Sequence, residues 1–284
     1  MQSISFIGAG RVGATLATAF HRSGLPVSMI ASRNLASAQK AATGLVGCSA
    51  VTLQQAAAAD LVFITVPDDD IGAVASSLIW RKGQYVVHCS GATEIAVLET
   101  AARAGAITGG FHPLQIFSDP QNTLGLLAGS TAGIEGAPEL ESILRELAVR
   151  LGMIPMLLPP GSRALYHCGS VLTGTFLLSL LNEAVRAWTA FGIDEQQALR
   201  GLLPVARGTL ETAAIKGPVG ALSGPISRGD SKVVARHLRA LEQLSAEQAD
   251  LYRQLAGRQL EMARINGKLQ EIQLTALKAV IEGN

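Results

Sequence analysis

The sequence predicts an α/β fold: a doubly wound, mainly parallel sheet over residues 1–158, followed by an all-helical domain over residues 162–284. Three observations predict it. Short apolar runs alternate with alanine-rich segments of helical spacing through the first half of the chain. Those runs are apolar almost throughout, as strands covered by helices on both faces are. After "LLPPGSRALYH" the β-type runs cease and only helical patterns follow.

The runs expected as strands are 3–8, 27–31, 61–66, 84–89, 106–111, 130–134 and 153–158, with helices near 12–23, 35–42, 53–58, 69–79, 93–104 and 137–150. Pro159, Pro160 and Gly161 then break the chain, which places the domain boundary at 158–162. One long apolar helix is expected over 162–191, then helices near 194–215, 230–244, 246–265 and 268–281, with Asp194, Asp230 and Ser245 as N-caps. A helix as apolar as 164–181 needs burial on most of its surface, some of it against a second copy of the chain, so a homodimer through the helical domain is expected.

The opening stretch FIGAGRVGATLATAF contains G-x-G-x-x-G at Gly8, Gly10 and Gly13. Alone the pattern is weak; here an apolar strand precedes it and a helical pattern follows, which is the context a dinucleotide-binding turn of Rossmann type requires. Gly8 suits the tight turn, Gly10 lets a pyrophosphate approach the backbone, and Gly13 lets helix and strand pack closely. Ala9, Arg11 and Val12 complete the turn and the helix N-terminus that faces the phosphates. The strand at 27–31 runs into Ser32, Arg33 and Asn34 without the acid that would bond the ribose of NAD. Arg33 can instead pair with a 2′-phosphate, so NADP(H) is expected in preference to NAD(H). Val66 and Pro67 end the strand at 61–66 and should flank the cofactor; Asp69 or Asp70 reads as the N-cap of the next helix.

The following strand ends read HCSGAT (88–93) and GGFHPLQIF (109–117). Ser90 and Gly91 should lie near the nicotinamide, whereas His88 and Cys89 read as packed core. Hydride transfer to a carbonyl or imine needs a proton donor in a dry pocket. His112, just after a strand on a loop stiffened by Pro113, is the first candidate, with a structural histidine as the alternative. Tyr166, His167 and Ser170 form polar stripes near the start of the long helix and suggest a pocket wall, though serine can be satisfied by local backbone bonds. Arg228, in LSGPISRGD, could hold a substrate carboxylate or pair with Asp230 or another acid.

GAGRVG, HCSG, FHPLQ, RALYHCGS and GPISRGD, taken with the layout, resemble a family of NADP-dependent oxidoreductases that join a Rossmann-like N-terminal domain to a helical domain of unknown function. More distantly the layout looks like pyrroline-5-carboxylate reductase, prephenate dehydrogenase and the β-hydroxyacid dehydrogenases. The resemblance implies a nicotinamide cofactor and a dimer but no substrate. The β-hydroxyacid dehydrogenases carry a catalytic lysine on the helix after the boundary, and residues 162–191 contain none. Neither that activity nor pyrroline-5-carboxylate reduction carries over.

Composition narrows the alternatives. The chain is 48% hydrophobic and 16% charged with a net charge of +1, which suits a compact globular protein and offers no basic field for nucleic acid or an anionic membrane. Cys48, Cys89 and Cys168 form no C-x-x-C pair, as expected in a reducing cytoplasm. The apolar stretch at 171–181 is too short to span a bilayer. The five histidines lack metal-ligand spacing and no G-x-S-x-G elbow appears. The sequence thus reads as an NADP(H)-dependent oxidoreductase, cytoplasmic and metal-free, acting on a small carbonyl, imine or hydroxy compound held between the sheet and the helical domain. His112, Tyr166 and Ser90 are its catalytic candidates. A non-catalytic NADP(H) sensor is the alternative.

Overall fold

The computed structural model describes residues 2–283. One compact unit runs through Gly174, and a second begins at Thr175. The first opens with β1 (Ile4–Ile7), α1 (Arg11–Arg22), β2 (Val27–Ala31), α2 (Leu35–Ala42), β3 (Ser49–Val51), α3 (Leu53–Ala56), β4 (Leu61–Ile64) and α4 (Ile71–Ser76). It continues with β5 (Tyr85–His88), α5 (Glu99–Arg103), β6 (Ile107–Leu114), α6 (Pro120–Leu126), β7 (Thr131–Gly136), α7 (Pro138–Arg150), β8 (Ile154–Leu157) and α8 (Arg163–Thr173). The strands form one eight-stranded sheet in the order 3-2-1-4-5-6-7-8. Every neighbouring pair is parallel except β6–β7, which is antiparallel. The doubly wound, mainly parallel sheet expected from the sequence is therefore present.

Period-two alternation divides the core. Phe6, Phe63, Val87 and Phe111 face one layer with Leu16 and Phe20 of α1, while Ile7, Val62, Ile64 and Val86 face the other with Ile71 of α4 and Trp80. Phe6, Phe20, Phe63 and Phe111 interlock, with stacked or edge-on rings whose centroids lie 5.2 to 6.4 Å apart. The buried Ser5 hydroxyl donates to the Ala56 carbonyl, so the polar residue in β1 is satisfied. Strand order reverses direction between β1 and β4, and the crevice outside the carboxyl ends of strands at such a point is where α/β sheets bind ligands.

Two short elements, β3 and α6, carried no periodic signal in the sequence, and β6 extends to Leu114, so His112 lies inside a strand and not after one. The expected single helix over 162–191 is divided: Gly174 departs from helical geometry (φ −92°, ψ −80°) and separates α8 from α9 (Thr175–Thr189). The division between compact units also falls there and not at 158–162, because α8 is fastened to the sheet through its own side chains. Arg163–Thr189 is nonetheless a helical run of 27 residues, long and apolar enough by length and composition to cross a membrane, which the stretch 171–181 taken alone is not.

The second unit comprises α9, α10 (Glu195–Gly220), α11 (Ser231–Leu244), α12 (Ala246–Asn266) and α13 (Glu271–Glu282). Asp194, Asp230 and Ser245 cap α10, α11 and α12 as expected, accepting from Gln197, Val233 and Gln248 amides. Val234, Leu238, Leu260, Leu274 and Leu277 form its core. Much of α9 and α10, and the turn between them, lies outside that core: Leu178, Phe191, Val205 and Ile215 are 61, 68, 67 and 83% exposed. Leu178 stands exposed where the sequence predicts burial.

Candidate active site

The glycine turn follows β1 directly. Gly8 has φ +117°, and a Cβ there would come within 2.6 Å of the Thr65 carbonyl, so only glycine fits. The Thr65 hydroxyl donates to the Gly8 carbonyl at 2.7 Å and locks the turn against β4. A Cβ on Gly13 would collide with the Gly8 carbonyl, which keeps α1 close to the strand. Gly10, the N-cap of α1, has no side chain to satisfy the helix amides and open space where a Cβ would stand. The free N–H groups at the helix start face that open space and favour a negatively charged group there.

A cleft of about 130 Å³ adjoins the turn, lined by Gly8, Ala9, Gly10, Ser32, Arg33, Val66 and Pro67, and also by Leu53, Thr65, Asp70 and Val74. Arg11, Val12 and Gly13 stand at the start of α1 beside it. The Asn34 side chain is the N-cap of α2, accepting from the Ser37 amide, so its oxygen is already used. Asp70 makes no capping bond to α4; its carboxylate pairs with Arg33 at 3.2 Å. The β2 edge therefore does have an acid nearby, brought from a loop 37 residues further on, where no local pattern could show it.

A second cluster forms at the β6–β7 pair. In this antiparallel register Gly110 lies opposite Glu135 and His112 opposite Gly133, so all four share one face. Helix α8 packs on that face. Arg163 covers Gly110, where a Cβ would run into the guanidinium, and donates from Nε to Glu135 Oε2 at 2.5 Å and from Nη1 to the Ser90 carbonyl at 2.8 Å. One turn on, Tyr166 covers Gly133, where a Cβ would meet Oη at 2.7 Å, and its hydroxyl bonds His112 Nδ1 at 3.0 Å. His167 stands edge-on to His112 with ring centroids 5.8 Å apart, and both rings close over Gly91. The helix itself is started by Glu94, whose carboxylate accepts from the Gly161 and Arg163 amides.

Burial, the neighbouring His167 and the Arg163 charge hold the His112 imidazole down at about 4, so the ring is neutral at neutral pH. Burial pushes the Tyr166 hydroxyl up to about 12, and it keeps its proton. His88 is fully buried, as expected; burial first, then the Arg163 and His112 charges, bring it to about 3. Its Nδ1 accepts from the Ser90 amide, and its Nε2 has no partner among the described residues.

Ser90 is not a free donor. Its hydroxyl donates to Asp68 at 2.6 Å or shares the proton with Thr93, and accepts from the Ala92 and Thr93 amides. It shapes the loop that places Gly91. Ser170 donates to the His167 carbonyl, the local satisfaction open to a helical serine. Arg228 lies in the second unit, exposed in a short 3₁₀ turn, and among the described residues no ion pair joins it to Asp230, whose carboxylate caps α11. Arg163, Glu135 and Glu94 escaped the sequence reading. A lone carboxylate in the apolar strand TAGIEG was the available signal, since a buried charge needs a partner.

Residues 1–113 match the Rossmann-like domain, and residues 130–259 match a domain of unknown function, DUF2520. The chain joins a Rossmann-like domain to a DUF2520 domain. No curated protein matches it. Among solved structures, protein TM1727 from Thermotoga maritima is 23% identical with a TM-score of 0.78, covering 93% of this chain and 100% of its own. BF3122 from Bacteroides fragilis, named provisionally as an NADP oxidoreductase, is 24% identical with a TM-score of 0.70, over 94% of this chain and 98% of its own. A reductive aminase from Aspergillus terreus, in complex with NADPH and ethyl-5-oxohexanoate, is 18% identical with a TM-score of 0.64, over 100% and 93%. At these identities the likeness is one of fold, and it extends through both units.

Proposed function

We propose that the chain is an NADP(H)-dependent oxidoreductase that reduces a small carbonyl or imine compound, or oxidises the corresponding hydroxy compound or amine. The observation that carries this reading is the His112–Tyr166 hydrogen bond, 3.0 Å long, at the same carboxyl edge of the sheet as the glycine turn. The NADPH and NADP+ complexes among the fold's relatives support the choice of cofactor, as does Arg33 in the wall of the cleft. The turn at Gly8, Gly10 and Gly13 would hold the pyrophosphate, and Arg33 with Ser32 the 2′-phosphate. Bound there, a nicotinamide supplies or accepts the hydride.

The protein's own part is the proton. Tyr166, protonated at neutral pH, donates outward to a developing alkoxide when His112 carries its proton on Nδ1 and donates that to the tyrosine oxygen. A carbonyl thereby gains hydrogen at carbon and a proton at oxygen, and solvent restores the tyrosine. The neutral imidazole orients the hydroxyl without placing a second positive charge beside Arg163. A titration with NADPH and NADH, followed by a screen of ketones, aldehydes and imines for cofactor oxidation, tests the reading. Expected are tighter binding of NADPH and turnover that fails in Tyr166→Phe. Binding without turnover of any compound favours a sensor; no binding rejects both.

The second unit supports pairing with a second copy of the chain. Its exposed apolar side chains on α9 and α10 adjoin a groove of about 630 Å³ between α9, α11 and α12, lined by Leu180, Ala187, Trp188, Phe191, Leu251 and Leu255. Apolar surface on that scale is the signature of an association face.

A further inference from the structure

We infer that Asp70 sets the cofactor's affinity by acting as the resident counter-ion of Arg33, which the 2′-phosphate must displace; this rests on the NADP(H) reading above. Arg33 follows β2, and Asp70 lies on the loop after β4, so the two line the cleft from different elements. Their charged ends meet at 3.2 Å. The Asp70 side chain makes no capping bond to the helix it precedes, so the ion pair is its one described interaction. Arg33 is 79% exposed and Asp70 38%, so the pair contributes little to folding and its exchange for another anion costs little.

Two consequences follow from charge alone. A ligand bearing a 2′-phosphate must draw the guanidinium from Asp70 and tolerate a carboxylate beside its own negative charge. A ligand with a bare ribose 2′-hydroxyl meets neither demand. Asp70 therefore narrows the preference for NADP(H) over NAD(H) that Arg33 creates. An acid in this place holds NADP(H) binding below what the arginine alone would give.

The test measures binding of NADPH, NADH and 2′,5′-ADP to the full chain and to Asp70→Asn, Arg33→Ala and the double variant, at low and high salt. Asp70→Asn should bind NADPH and 2′,5′-ADP about threefold to fivefold more tightly than the parent, with NADH unchanged. The gain should shrink at high salt and fall by more than half when Arg33 is alanine. Unchanged or weaker NADPH binding in Asp70→Asn, while Arg33→Ala still loses the preference for NADPH, overturns the counter-ion role and leaves the cofactor reading intact. A gain undiminished without Arg33 also overturns it, because Asp70 would then act on the phosphate directly. If the parent does not prefer NADPH and Arg33→Ala changes nothing, both the cofactor reading and this inference fall.

Discussion

Arg163 and Glu135 form an ion pair from which water is excluded, with side chains 0 and 4% exposed and Nε 2.5 Å from Oε2. Such a pair is weak evidence of net stabilisation, since desolvation offsets much of the attraction, but breaking it leaves a buried charge alone. Glu135→Gln should therefore lower stability by about 3 kcal/mol in urea unfolding. Replacing both partners, as Arg163→Met with Glu135→Leu, should recover most of the loss. A single variant that unfolds at the parent midpoint would show that Arg163 has another counter-charge.

Gly133 tests the tyrosine's placement without touching its chemistry. A methyl group there would stand 2.7 Å from the Tyr166 hydroxyl and force it off His112. Gly133→Ala should lower kcat toward the level of Tyr166→Phe, on the order of a hundredfold, as loss of a positioned proton donor does. NADPH affinity should stay within about twofold, since the glycine turn and the Arg33 edge are untouched. Equal loss of binding and turnover would mean that the whole unit had shifted.

The glycine turn and the strand ends were legible because each is local. An apolar strand, three glycines and a helical repeat occupy residues 4–22, and the locking contact from Thr65 comes from outside that span. His112 and Tyr166 were each visible as polar residues in apolar surroundings, but their contact depends on antiparallel pairing between β6 and β7, whose register is set across residues 115–130. That register makes Gly110 and Gly133 the seats for Arg163 and Tyr166. Sequence spacing does not show such a relation, nor does it show Asp70 reaching Arg33. The apolar pattern over 162–191 predicts one continuous helix; the dihedral angles of Gly174 make it the break between α8 and α9.

The buried histidines fix the sign of the acid response. His112 stands at about 4 and His88 at about 3 in the folded chain, against about 6.5 when unfolded. Between those values the unfolded chain binds the protons and the folded chain does not, so stability is full above about pH 6.5 and is lost as pH falls toward 4. His112→Gln should flatten this response, sparing on the order of 2 kcal/mol at pH 4.5 in paired urea titrations at pH 7 and 4.5. The turnover profile should show no inflection near pH 6.5, because the ring is neutral across that range. An inflection there that vanishes in His112→Gln would place a charged imidazole in the reaction.

Ile215, 83% exposed on α10, separates a surface residue from an interface residue. On a monomer an exposed isoleucine changed to glutamate is nearly silent, within about 0.5 kcal/mol, because its water contacts are kept. At the centre of a face between two copies the same change buries a charge without a partner. Ile215→Glu with Leu210→Glu should therefore shift the mass in light scattering from twice 29.5 kDa to 29.5 kDa. Leu35→Glu, equally apolar and 55% exposed but on α2 of the first unit, should leave the mass unchanged. A monomeric parent would reject the pairing, and a variant that stays paired would move the association face away from α10.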